Sequence, residues 1–287
     1  LNNNLLRKIL IYGFLLYIQI IKAQLNQPEI YGHRGFRGKF PENSILGFQK
    51  AIELGITGIE LDVVVNKDKQ LVISHEPFFQ EEYCLDSIGK EIKNESDFNI
   101  YHLNQQEIEL FDCGTKFHSK FPNQLKTKSA KPLLQTFFNQ VNLANSIILF
   151  EVKSEPREYT VSQPDPDEYS DIILKELENF QYKSNIRIMC FDSEILEQIH
   201  KKDPSYPLIY LTYLPRSTNN FLKNLSFKPY ALGMFYPTIT KRKAISLHKS
   251  NIKLYSWTVN SNSANEKLFK NNVDGIITDF PDMFVTK

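Results

Sequence analysis

Only three of the 287 residues are cysteine (Cys84, Cys113 and Cys190). They form no C-x-x-C pair and no Cys/His spacing of the zinc-module kind, which excludes a zinc finger or ribbon. Cys190 closes an apolar, strand-like run and reads as core. Cys84 and Cys113 could pair in an oxidising compartment, but spacing supplies no geometry, and ordinary free or buried thiols are the reading that the sequence favours. Also lacking is an excess of positive charge. Without residues 1–23, the chain carries 31 basic against 33 acidic residues, which excludes the electrostatic footprint of a nucleic-acid binder. Internal repeats and low-complexity tracts are absent as well.

The longest apolar run, Ile9 to Ile21, is interrupted only by Gly13 and Gln19. It falls short of the roughly twenty residues that a membrane-spanning helix needs. Arg7 and Lys8 precede it, and the small residue Ala23 follows. A basic start, an apolar stretch and a small residue at its end describe a secretory signal peptide over residues 1–23, removed on export to the periplasm or the medium. The rival reading is an uncleaved N-terminal anchor. No cysteine lies near Ala23, which excludes a lipid-anchored form.

From Glu29 onward, β-rich runs alternate with amphipathic stretches. Strands are expected at Glu29–Gly32, Gly58–Val65, Ile147–Val152, Ile186–Cys190, Pro207–Leu211, Tyr230–Met234, Lys253–Trp257 and Asp274–Thr278. Helical patterns fall at Ser44–Leu54, Pro132–Val141, Asp167–Phe180, Ser193–Lys202, Lys241–Ser250 and Ala264–Asn271. Eight strands alternating with helices predict a (β/α)₈ TIM barrel over residues 24–287, near the roughly 250 residues usual for that fold. One interval breaks the rhythm. Gln70–His75 reads as an extra strand, and residues 76–131 as an insertion between the second strand and the second helix. A second elaborated loop, Ser154–Asp165, follows the third barrel strand.

Side chains alternate along a strand. In GIELDVVV, Glu60 and Asp62 therefore share one face, while Ile59, Leu61 and Val63 share the other. In a barrel the apolar set faces the helices and the carboxylates face inward. Confined carboxylates repel one another and resist burial unless a cation compensates, and an all-oxygen set suits Ca²⁺ or Mg²⁺. IILFEVK repeats the arrangement: Glu151 is a third candidate metal ligand and Lys153 a contact for an anionic oxygen. Charged residues that close apolar strands belong at the C-terminal rim, where barrels of this type carry their active sites. His33 and Arg34 leave the first strand at that rim, and His75 ends the extra strand. Two histidines are candidates for general acid and general base, and a planar guanidinium suits phosphate.

The run GHRGFRGKFPENSILGFQKAIELGITGIELDVVVNKDKQLVISHE resembles the N-terminal signature of the glycerophosphodiester phosphodiesterase family. FEVK is similar to that family's third-strand motif, and LYSWTVN and VDGIITDFP to its last two strands. The likeness spans Glu29 to about Phe284. It implies a barrel in which His33 and His75 are the acid/base pair and Glu60, Asp62 and Glu151 bind a divalent metal. Arg34 and Lys153 then contact phosphate, and Trp257 stands at the pocket wall. Two features depart from the pattern: Glu76 follows His75 where many members have Asp, and the insertion matches only loosely. The implied substrate is a small glycerophosphodiester, cleaved to an alcohol and glycerol 3-phosphate. Alternatives are a lysophospholipase D-like or phospholipase C-like lipid phosphodiesterase, or a non-catalytic envelope protein that binds glycerophosphodiesters. Phe78, Phe79 and Tyr83 of the insertion are candidates for peripheral membrane contact.

Overall fold

The computed structural model describes residues 27–285 except 144, 179 and 215; the expected signal peptide lies outside the described residues. Eight parallel strands close a barrel: β1 (Glu29–Gly32), β2 (Gly58–Val65), β4 (Ile147–Val152), β5 (Ile186–Cys190), β6 (Leu208–Thr212), β7 (Ala231–Phe235), β8 (Lys253–Trp257) and β9 (Gly275–Thr278). β1 pairs with both β2 and β9, so the barrel wall has no free edge. Helices Ile45–Glu53, Leu134–Gln140, Pro166–Glu178, Ser193–Lys202, Thr218–Leu222, Lys241–Lys249 and Asn262–Lys270 follow the strands in turn. The eighth helical place holds only the 3₁₀ turn Pro281–Phe284. The sequence pattern overlooked Thr218–Leu222, whose five residues are too short to show a period. No helix among the described residues is long and apolar enough to cross a membrane.

Alternation sorts the side chains as expected. Ile59, Leu61, Val63, Phe150, Val152, Ile188 and Cys190 pack outward against the helices in the main core. Tyr31, Leu149, Met189, Ile209, Leu211 and Tyr255 fill the barrel interior. Beneath that plug, Arg187 pairs with Glu29 (2.7 Å) and donates to the Tyr31 hydroxyl (2.6 Å) and to Tyr255. This polar lock closes the N-terminal end of the barrel. Buried apolar area stabilises the fold by about 25 cal/mol per Å², and the lock satisfies the charges that the interior would otherwise strand.

β2 overshoots the rim. Its last residues, Val63–Val65, pair with β3 (Leu71–Ile73), which runs antiparallel and returns the chain toward the barrel mouth. Residues 76–131 then fold over the upper face around a small core of their own: Val64, Val72, Phe79, Tyr83, Ile92, Ile100, Ile108 and Phe111. The Phe79 and Phe111 rings stack at 3.8 Å. Phe79 and Tyr83 are thus interior residues of the insertion, whereas Phe78 is partly exposed. Cys84 and Cys113 within this core are disulfide-bonded, which corrects the free-thiol reading; Cys190 is free and buried.

A disulfide that closes a 29-residue interval stabilises chiefly by restricting the unfolded chain, by about 3.6 kcal/mol. Cys84→Ser/Cys113→Ser is expected to lower the denaturant-derived unfolding free energy by about that amount. Thiol titration of the denatured wild type should count one reactive thiol per chain.

Candidate active site

The carboxylates expected at the rim meet there. The β2–β4 register places Asp62 directly beside Glu151. Oxygen atoms of Glu60, Asp62 and Glu151 lie within 4.8 Å of one another, and all three residues are buried. Burial, and after it the charges of Asp62 and Glu151, push the Glu60 carboxyl well above the usual carboxylate range. Glu151 is likewise raised, by burial first, with Lys153 opposing. Glu60 Oε1 and Asp62 Oδ1 are buried without a hydrogen-bond partner. Orphaned acceptors aimed at one point are what a hard, oxygen-seeking cation satisfies. The donor set therefore fits a divalent ion such as Ca²⁺ or Mg²⁺.

Cations of the chain surround the cluster. Lys153 Nζ lies 2.5 Å from Glu151 Oε1 and 3.7 Å from Asp62 Oδ1. Burial pulls the Lys153 ammonium toward neutrality, but Glu151 and Asp62 outweigh it and hold it charged. Arg34 is more enclosed than a simple phosphate donor would be. Its Nη1 lies 2.7 Å from Glu42 Oε1 and its Nε 3.3 Å from Asp62 Oδ2. Arg34 has a left-handed backbone (φ 50°), costly for a residue with a Cβ, and its main-chain N–H donates to Glu60 Oε2 at 2.8 Å. Gly35 follows with φ 82°, where a Cβ would come within 2.8 Å of the Gly47 carbonyl carbon. The turn after β1 thus grips helix Ile45–Glu53 and presents Arg34 inward.

His33 and His75 both line the cavity that holds the cluster, together with Arg34, Lys153, Phe191 and Trp257. Its volume is about 220 Å³, a size for a small phosphate ester. A larger cleft, about 480 Å³, opens near Glu29 and His248 at the other end of the barrel and contains none of these groups. His33 Nδ1 lies 2.6 Å from Asp279 Oδ1, and its Nε2 lies 4.0 Å from Glu60 Oε2. His75 Nδ1 lies 2.5 Å from Glu76 Oε1. Burial, and then the charges of Arg34, Lys153, His33 and Arg37, push the His75 imidazole well below its ordinary value. His75 reaches the rim because β3 is antiparallel, so this strand descends onto the mouth instead of ending level with its neighbours.

Trp257 closes β8 and lines the cavity, with its ring edge-on to Phe191 (centroids 5.4 Å) and tilted against Phe235 (5.6 Å). Seven of the eight expected side chains line this cavity, and the eighth, Asp62, is buried beside Glu60 and Glu151.

Several partners escaped the sequence reading. Asp279, after β9, holds His33 and is itself held by Asn260 Nδ2 at 2.6 Å. Burial drives the Asp279 carboxyl upward, but His33, Arg37 and Asn260 together bring it below its usual value. Asn43 donates to Asp62 Oδ2 at 2.9 Å. Glu42 joins Arg34 to Arg37, whose Nε lies 2.6 Å away, and accepts from the Tyr83 hydroxyl of the insertion at 3.0 Å. Their signal was present in GFRGKFPEN and in TDFP, polar residues immediately beyond strand ends.

A sequence profile of the Glycerophosphoryl diester phosphodiesterase family matches residues 33–283. A glycerophosphodiester phosphodiesterase of Caldanaerobacter subterraneus subsp. tengcongensis is 28% identical over 256 residues, covering 89% of this chain and 96% of that protein. One of Bacillus altitudinis is 27% identical over 259 residues, covering 90% and 96%. Among solved structures, a phosphodiesterase of Oleispira antarctica in complex with the product sn-glycerol-3-phosphate superposes with a TM-score of 0.73. It is 18% identical, with 89% of this chain and 94% of that one covered. The glycerophosphodiester phosphodiesterase of Thermotoga maritima superposes with a TM-score of 0.66 at 24% identity, covering 90% and 97%. With the profile spanning every strand after the first and every residue of the carboxylate–histidine cavity, the chain belongs to the glycerophosphoryl diester phosphodiesterase family.

Proposed function

We propose that this protein hydrolyses glycerophosphodiesters to an alcohol and glycerol 3-phosphate, using a divalent metal held by Glu60, Asp62 and Glu151. The observation that carries the reading is the convergence of three carboxylates within 4.8 Å in the cavity that also holds His33 and His75. Charge supports the metal. The site gathers the carboxylates of Glu42, Glu60, Asp62, Glu76, Glu151 and Asp279 against the cations Arg34, Arg37, Lys131 and Lys153. A divalent ion supplies Lewis-acid polarisation of a phosphoryl oxygen.

The side chains divide the remaining work. Lys153 and Arg34 face the cavity and stabilise charge on the phosphoryl oxygens. His75, kept neutral by burial and by the surrounding cations, takes the proton of the attacking water. His33, whose ring is oriented by the contact of its Nδ1 with Asp279, gives its Nε2 proton to the departing alkoxide as the P–O bond breaks. Export of the chain is supported by residues 7–23 and by the Cys84–Cys113 bond, since disulfides belong mainly to oxidising compartments.

A second reading concerns the alcohol. Trp257 and Phe191 on the cavity wall continue by ring contacts to Phe235 and Tyr213, which are exposed. That band favours activity on lysolipids, and the ratio of kcat/KM for a lysophospholipid to that for glycerophosphocholine measures it.

The primary test is release of glycerol 3-phosphate from a panel of glycerophosphodiesters, before and after chelation and on return of Ca²⁺, Mg²⁺ or Mn²⁺. Activity that survives chelation contradicts the metal role. His33→Ala and His75→Ala are each expected to lower kcat by about 10²–10⁴-fold.

Glu60→Gln removes one of three repelling carboxylates. In chelator it should melt no lower than the wild type. It should also lose the metal-induced stabilisation, which for the wild type is about 2.7 kcal/mol at a hundredfold excess over Kd.

The pH dependence has a definite sign. His75 titrates below its ordinary 6.5 in the folded state, so between the two values the unfolded chain binds more protons. Its contribution to stability is intact above 6.5 and declines as pH falls through that window. Catalysis needs the neutral ring, so the acidic limb of kcat/KM should lie well below pH 6.5.

A further inference from the structure

Behind the cavity lies a cation that the mechanism above does not use. Lys131 is 6% exposed, and no carboxylate of the described residues lies within 4.0 Å of its ammonium. Its Nζ sits beside the Phe79 ring (5.6 Å) and the Tyr83 ring (6.0 Å) and donates to Ser74 Oγ at 2.7 Å. A buried ammonium with no carboxylate in contact is expensive, and burial pushes this one down to about 8 against the more distant charges of Glu42, Glu76 and Asp62. Its segment is pinned: Pro132 O accepts from the Ile73 N–H at 2.8 Å, and Leu133 bridges Val72.

What the ammonium touches explains why it is kept. On an extended strand, neighbouring side chains point to opposite faces. His75 and Glu76 nevertheless meet at 2.5 Å, because the chain bends at residues 75–77. Ser74 holds that bend: its hydroxyl donates to the Glu76 carbonyl at 2.6 Å, and its N–H donates to the Asp62 carbonyl at 3.0 Å. With its only proton directed at Glu76 O, Ser74 Oγ is left as an acceptor, which Lys131 fills. Ser74 itself is wholly buried, so the Lys–Ser contact is not a nucleophilic dyad.

We propose that Lys131 is a positioning residue for the phosphodiesterase reaction, acting through Ser74 to hold the bend that keeps the Glu76 carboxylate on His75 Nδ1. The imidazole is thereby fixed with its proton on Nδ1 and its free Nε2 toward the cavity. This rests on His75 serving as the base in the reaction proposed above.

The test pairs kinetics with a measurement independent of turnover. Lys131→Met, Ser74→Ala and the double variant are compared with wild type on glycerophosphocholine, and the His75 tautomer is read by long-range ¹H–¹⁵N NMR. Each single variant should lose about tenfold or more in kcat with KM changed less than about twofold. The double variant should be no worse than either single one, because both break the same chain of contacts. Lys131→Met, which relieves a buried charge, should melt no lower than the wild type, and Lys131→Arg should recover part of kcat. In wild type His75 should be protonated at Nδ1; in the variants the two tautomers should mix.

Unchanged kcat in Ser74→Ala, losses that multiply in the double variant, or an unchanged His75 tautomer overturns the proposal. If Lys131→Met does not fold, the kinetics and tautomer of Ser74→Ala decide it. A wild type that hydrolyses no diester would refute the assigned reaction, and the tautomer would still decide the role of Lys131.

Discussion

Three carboxylates forced together on the inward faces of β2 and β4 are the constraint to which the rest of the site answers. The strand register makes their proximity unavoidable, since Asp62 and Glu151 are direct neighbours and Glu60 is two residues below Asp62 on the same face. In a buried setting their repulsion opposes folding, and the surrounding groups offset it. Asn43 and the Arg34 backbone donate to them, Lys153 and the Arg34 side chain supply charge, and the orphaned oxygens Glu60 Oε1 and Asp62 Oδ1 leave room for a metal. The barrel tolerates such a site because the cost falls at its mouth. The interior below is an apolar plug closed by the Arg187–Glu29 lock.

The insertion is part of that same settlement. Because β2 overshoots the rim and β3 turns back, one hairpin both brings His75 to the cavity and offers Val64 and Val72 as a floor for residues 76–131. From that small core Tyr83 reaches Glu42, which in turn holds Arg34 and Arg37. The disulfide at Cys84, next to Tyr83, therefore braces a segment whose contacts end at the Arg34 and Arg37 guanidinium groups. In this architecture His75 and the covering segment over the site come from a single excursion of the chain.

Much of this was legible in the sequence. Strands β1, β2, β4, β5 and β8 fall on the expected residues, because period-two alternation with β-branched side chains leaves little freedom of register. Glu60, Asp62, Glu151 and Lys153 were readable as inward-facing for the same reason. Other features depend on distance in space, which periodicity does not encode. Asp279 meets His33 across 246 residues, and Lys131 meets Ser74 across 57. The pairing of Cys84 with Cys113 needed geometry that spacing lacks. Phe79 and Tyr83 are interior because a 56-residue insertion is large enough to have its own core, which its aromatic residues fill.

The central claim is that the void among Glu60, Asp62 and Glu151 belongs to a metal and not to the Lys153 ammonium. Crystals equilibrated with Mn²⁺ and measured at its absorption edge test this directly. The account predicts one strong anomalous peak within coordination distance of all three carboxylates, with Lys153 turned toward the phosphate position. A cluster without a peak, with Lys153 Nζ still bonded to Glu151 at saturating Mn²⁺, would contradict it.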